Sequence, residues 1–192
     1  MTNSLSESEL PLLLDSGKIQ ARVRELAAEI SRDYAGSTVH LVGVLKGAWI
    51  FLADLIRHLS VPSTVDFLAI QSYGAEIVSS GEVKITKDLD LGIEGRDVLI
   101  VEDILDTGRT CHYLLDVLSA RSPRSLKLVA LLDKPSRRIV PVQADYRGFE
   151  IPDVFVVGYG LDFDQRFRNL PDVRYLPKSG FGTRDSGFGP RD

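Results

Sequence analysis

Apolar residues recur at helical spacing at Ile19, Val23, Leu26, Ala27 and Ile30, with charged residues on the opposite face, and predict a first helix. Ser16 stands at the expected N-cap and Gly36 follows the expected end. Residues 39–45 form an almost unbroken apolar run that stops at Lys46-Gly47 and reads as a buried strand. Residues 48–59 return to helical spacing, and residues 65–70 read as a second strand. The run at 98–101, flanked by polar groups, suits a central parallel strand. Residues 110–120 predict a helix, and 126–132 and 154–157 predict further strands. Residues 72–87 place Gly74, Ser79, Ser80 and Gly81 among short β-prone pieces, the pattern of a long loop or mobile hairpin. Strands alternating with helices predict an α/β fold: an open, mostly parallel twisted sheet with helices on both faces. Ligands of such sheets bind at the carboxyl ends of the strands, so the chemistry is expected just after each buried run.

Composition narrows the function. A length of 192 residues, 44% apolar and 26% charged, fits one globular domain with its own core. The charge sum, 23 cationic against 27 acidic side chains, is −4, which argues against a protein that coats nucleic acid. The single cysteine, Cys111, excludes an internal disulfide and fits a reducing compartment. Residues 1–10 are too polar for a signal peptide, and the most apolar stretch, 41–56, is interrupted by Lys46 and Asp54, so no membrane span is expected. The expectation is a soluble cytoplasmic protein. Residues 179–185, SGFGTRD, are followed by a near copy at 186–192, SGFGPRD. Two Gly-rich copies are too few for a solenoid, so the chain divides into one domain, 1–178, and a flexible tail, 179–192.

The chemistry concentrates in residues 98–110, VLIVEDILDTGRT. A buried strand runs straight into Glu102 and Asp103, and Asp106, Thr107, Gly108, Arg109 and Thr110 lead into a helix. Free backbone N–H groups and the positive end of the helix dipole favour an anion at such a turn. Gly108 admits close approach and the two threonines offer hydroxyls, so the turn is a phosphate cradle. The neighbouring acids would repel phosphate, and therefore point to hydroxyl groups or a phosphate-bound Mg2+ beside it. A ribose carrying a 5′-phosphate meets both demands. No GxxxxGK[ST] loop and no GxGxxG fingerprint occurs.

This string resembles the phosphoribosyl pyrophosphate (PRPP) motif of type I phosphoribosyltransferases, and residues 39–175 resemble their hypoxanthine-guanine branch. The further landmarks are Leu45-Lys46-Gly47, Ser72-Tyr73, Asp133-Lys134-Pro135, the string GFEIPDVFVVGYGLD at 148–162, and Arg168. The resemblance implies a small hood built from the N- and C-terminal segments. It implies that Glu102 and Asp103 hold the ribose hydroxyls, partly through Mg2+, that 106–110 wrap the 5′-phosphate, and that Asp106 handles the purine N7 proton as general acid or base. Lys46, Gly47, Ser72, Tyr73 and Arg168 would bind pyrophosphate, with 72–87 closing as a lid. Lys134 would donate to the purine O6, with Asp133 able to pair with it and orient it. Phe155 would stack on the base, Val156 would read its edge through backbone groups, and Asp162 would reach Mg2+. The Leu45–Lys46 peptide bond would be cis.

Taken singly, Lys134 reads as a surface lysine, Phe155 as core, and Arg137, Arg138 and Arg166 as solvated or interfacial cations. The implied activity is purine salvage: hypoxanthine or guanine plus PRPP gives IMP or GMP plus pyrophosphate, in a homodimer or homotetramer that binds neither membrane nor nucleic acid. The alternative is a regulatory protein on the same fold that senses PRPP or nucleotide and binds nucleic acid. Within the enzyme class, a xanthine-preferring or pyrimidine transferase is a weaker alternative. Arg109 stands where relatives commonly carry lysine.

Overall fold

The computed structural model describes residues 9–72 and 83–177. Strand β1 (Leu12–Leu14) is followed by helix α1 (Ser16–Asp33), β2 (Val39–Leu45), α2 (Trp49–His58), β3 (Ser63–Ser72) and β4 (Val83–Lys87). Then come β5 (Asp97–Leu105), α3 (Arg109–Ser119), β6 (Ser125–Asp133), a 3-10 turn (Pro135–Arg137), β7 (Tyr146–Glu150), β8 (Val156–Val157) and β9 (Val173–Tyr175). The main sheet has the order β4-β3-β2-β5-β6-β7. All its pairings are parallel except β3 with β4.

The two-residue period of the central strands decides how the layers pack. Val39, Leu41, Leu99, Val101, Val129 and Leu131 face α1 and α2, in one core with Ile19, Val23, Leu26, Phe51 and Leu55. Their alternates Val42, Val44, Val98, Ile100, Leu128 and Ala130 face α3, in a second core with Cys111, Leu114 and Leu118. Both faces are therefore covered, as the apolar runs predicted. Truncating a fully enclosed member such as Leu99, 0% exposed, would cost about 2–5 kcal/mol.

A second sheet, β1-β9-β8, is antiparallel throughout and forms the hood, joining the N-terminal segment to the C-terminal one. Strands β1, β7 and β9 were not expected from the residue pattern, and the strand expected at 154–157 shortens to β8 because Val154 N–H turns back to the Pro152 carbonyl. The N-cap of α1 is Asp15, one residue earlier than expected: its carboxylate accepts from Lys18 N–H at 3.0 Å. The arms of the segment at 72–87 are the antiparallel β3–β4 pair, with Ser72 opposite Val83. Tyr73, the lid tip and the tandem repeat lie outside the described residues. No helix among the described residues is long and apolar enough to cross a membrane.

Candidate active site

Every expected site segment within the described residues emerges from the carboxyl end of a sheet strand or from the hood above it. Strand β2 ends in Lys46 and Gly47, and the Leu45–Lys46 peptide bond is cis, as expected. Lys46 is exposed, and Gly47 lies against Asp103, near the carboxyl end of β5. A Cβ on Gly47 would stand only 1.4 Å from Asp103 Oδ2, so the Asp103 carboxylate occupies the space that any other residue at 47 would fill. On the other side, a Cβ on Gly160 would stand 2.1 Å from the Gly47 carbonyl oxygen. The loop after β2, the acids after β5 and the hood thus meet at backbone distance.

The two acids are not neutralised by a close cation. Glu102 is buried, and its Oε2 has no hydrogen-bond partner. Burial and the adjacent Asp103 charge push its carboxyl well above the usual range. Burial also pushes Asp103 up to about 6, against the Ile104 N–H that its Oδ1 accepts at 2.8 Å and the nearby Arg168 charge. Asp162, which adds to the crowding, lies on the hood, paired to Arg168 at 2.7 Å. An orphaned buried oxygen among crowded acids fits a divalent cation or a pair of ligand hydroxyls. The described residues contain no cluster of three potential protein ligands for a metal.

The 106–110 turn, the expected phosphate cradle, runs from the end of β5 into α3. Gly108, at φ 87°, takes the left-handed conformation that starts α3, and its helix has no side-chain cap bond. Arg109 N–H reaches Thr107 Oγ1 only at 3.4 Å, so the first turn retains donors for an anion. Thr110 Oγ1 is buried without a partner. Thr107 is buried, and its carbonyl accepts from Ile139 and Val140 N–H groups, which fastens the cradle to the segment after β6. Arg109 itself is exposed on the first turn of α3.

Asp106 and Lys134 form the centre of the remaining half. Lys134 is 5% exposed, so the surface-lysine reading does not hold. Its Nζ lies 4.0 Å from Asp106 Oδ2. The expected orienting acid, Asp133, is paired with Arg138 and, at 3.6 Å, with Arg147. Arg137 and Arg138, expected as solvated or interfacial cations, instead pair with acids of the site. Arg137 Nε donates to Asp106 Oδ1 at 3.2 Å and comes within 3.8 Å of Asp153, while Arg138 donates to the Asp106 carbonyl and to Asp133. The 3-10 turn after Lys134 folds both arginines back onto Asp106.

The hood supplies the last groups. Val156 is buried in β8, and Phe155 is half-buried just before it, edge-on to Phe163 with ring centroids 5.8 Å apart. Arg168 donates to the Gly160 carbonyl at 2.7 Å as well as pairing with Asp162. The structure therefore brings Gly47, Asp103, Asp162 and Arg168 close together, with Glu102 next to Asp103 in β5 but on the opposite face of the sheet, and sets Asp106 beside Lys134. Of the expected pyrophosphate residues, Tyr73 and the Ser72 side chain lie outside the described residues.

A family profile described as the phosphoribosyl transferase domain matches residues 12–164. The hypoxanthine-guanine phosphoribosyltransferase of Bacillus subtilis is 51% identical over 165 residues, covering 86% of this chain and 92% of the relative. The hypoxanthine phosphoribosyltransferase of Salmonella typhimurium is 49% identical over 164 residues, covering 84% and 92%. Among solved structures, a hypoxanthine phosphoribosyltransferase from Staphylococcus aureus superposes with a TM-score of 0.88 at 42% identity, covering 95% of this chain and 100% of that one.

Proposed function

Since the chain belongs to the phosphoribosyl transferase family, among its hypoxanthine-guanine members, we infer that it is a purine-salvage enzyme: N9 of hypoxanthine or guanine displaces pyrophosphate from C1 of PRPP, giving IMP or GMP. The observation that carries the base specificity is the buried Lys134 ammonium beside Asp106. An ammonium only donates, so it suits an O6 acceptor and rejects a 6-amino group.

The residues divide the work by charge. The 106–110 turn, with Thr107, Gly108, Arg109 and Thr110, receives the 5′-phosphate on its free donors. Glu102 and Asp103 face the ribose hydroxyls and favour the positive charge that grows on the ring as pyrophosphate leaves. Lys46, Gly47, Ser72, Tyr73 and Arg168 would receive the pyrophosphate. Asp106, held between Arg137 and Lys134, would exchange the proton at the purine N7. Phe155 would stack on the base, at about 1–3 kcal/mol by analogy with other stacked bases, and Val156 would meet its edge. Glu102, Asp103 and Asp162 would hold Mg2+ together with substrate oxygens. When bound, the cation neutralises the leaving pyrophosphate.

Residues 1–178 would act as one catalytic unit, assembled as a homodimer or homotetramer in the cytoplasm, where a lone buried thiol such as Cys111 is at home. Nothing in the acidic charge balance supports the nucleic-acid-binding alternative.

The test is an assay with PRPP, Mg2+ and, in turn, hypoxanthine, guanine, xanthine and adenine. Pyrophosphate release is expected with hypoxanthine or guanine and not with adenine. Absence of release with every oxopurine would refute the function, and equal use of adenine would refute the role of Lys134.

A further inference from the structure

The proposed reaction needs base and pyrophosphate held on opposite sides of one ribose carbon at the same time. The pyrophosphate loop leads directly into α2, whereas Val156, Asp162 and Arg168 belong to the hood. A buried polar cluster joins those two bodies away from the reacting atoms. Asp54, on α2 and 7% exposed, accepts at Oδ2 from the Tyr159 hydroxyl at 2.6 Å and from Gln20 Nε2 of α1 at 2.5 Å. Its Oδ1 is engaged by Arg57. Tyr159 is 3% exposed and holds φ at 50°, a left-handed conformation that a bulky residue adopts only where its surroundings fix it. It stands between Val156 and Asp162, and its neighbour Gly160 both rests on the Gly47 carbonyl and receives Arg168.

We propose that the Tyr159–Asp54 hydrogen bond is a positioning device that locks the hood to the helix of the pyrophosphate loop, so that filling the PRPP site orders the base site. Neither side chain touches a reacting group. The Tyr159 ring shares a core with Phe51 and Leu55 whether or not it carries a hydroxyl; backbone bonds to Leu170 and Arg168 hold its loop to the hood, while the hydroxyl ties that loop to α2. This inference rests on the proposed reaction, because the two sites it couples are those of PRPP and base.

The experiment compares the wild type with Tyr159→Phe by calorimetric titration. The probe is 9-deazahypoxanthine, which carries carbon in place of the reacting nitrogen, titrated with and without PRPP and Mg2+. In the wild type, PRPP should tighten binding of the analogue. In Tyr159→Phe that coupling factor should fall about fivefold or more, with PRPP affinity alone changed by less than about twofold. A merely structural role would lower the melting temperature and leave the coupling factor intact, and that result would overturn the proposal, as would no change at all. If Tyr159→Phe does not fold, Asp54→Asn, which weakens the acceptor at nearly constant shape, gives the same two outcomes. A wild type that binds neither PRPP nor analogue would refute the proposed reaction itself, and this inference with it.

Discussion

The two ends of β5 carry buried acids in opposite states. At the amino end, Asp97 accepts from Arg124 Nε at 2.9 Å and from Ser125 Oγ at 2.8 Å, and the Arg124 bond above all holds its carboxyl down to about 2. At the carboxyl end, Glu102 has an oxygen with no partner, and burial lifts Asp103 to about 6. At the amino end the Arg124 bond outweighs burial, whereas at the carboxyl end burial dominates. The chain compensates Asp97 with Arg124 and Ser125, and gives Glu102 Oε2 no such partner among the described residues. The unsatisfied end costs stability. Asp103, raised above its unfolded value near 4, favours the folded state below about pH 4 and loses that contribution as pH rises through about 6. Asp97 works in the opposite sense: its contribution is present above about pH 4 and is lost as pH falls towards 2.

Four measurements would break or sharpen this contrast. Replacing Asp106 by Asn at the binding end should lower kcat by about 10²–10⁴-fold, the usual cost of a general acid or base, with PRPP affinity little changed. Steady-state kinetics decides, and near-normal turnover removes Asp106 from the proton transfer. Asp103→Asn should lower kcat/KM for PRPP by about 10- to 100-fold, comparable to losing an orienting group around a metal. The same variant should melt at a higher temperature than the wild type at pH 7 and not at pH 3.5. A lower melting temperature at pH 7 would mean that the acid is compensated after all. Affinity for PRPP with Mg2+ should fall by up to about tenfold per pH unit below 6, because protons compete for the acids. The slope should be shallower in Asp103→Asn, which separates the protein's titration from that of the substrate phosphate. The smallest effect belongs to the satisfied end. Asp97→Asn should cost about 1–2 kcal/mol of stability at pH 7 while turnover per folded molecule stays within about twofold.

How much of this was legible in the residues depends on how local the cause is. Strand β2 was read at the same bounds because a strand covered on both faces prints a continuous apolar run. The cradle at 106–110 was legible because its donors, its glycine and its helix are contiguous. The strands β1 and β9, three residues each, are too short to show a period, and β7 is an edge strand carrying Gly148, where a Cβ would stand 2.2 Å from the Leu131 carbonyl oxygen. Asp15 and Ser16 are both capping residues, and only geometry chooses between them. The pairing of Arg137 and Arg138 with Asp106 was not legible because the turn that folds them there is a tertiary event. Asp133 next to Lys134 suggested a pair, whereas Arg138 and Arg147 engage Asp133. Nothing along the chain links Asp54 to Tyr159, 105 positions away.

The pairing of Leu14 with Val173 has a consequence for synthesis on the ribosome. The main sheet is complete once Glu150, the end of β7, has emerged, so the 106–110 turn and the acids of β5 can assemble on the growing chain. The hood cannot close until Val173–Tyr175 follow, and β1 must wait for its partner through nearly the whole of translation. At about 5–20 residues per second, the 25 positions from 150 to 175 take roughly one to five seconds. During that interval the nascent chain has its main sheet before its hood. A stalled chain released at that point would carry the 106–110 turn and Lys134 without the hood strands β8 and β9.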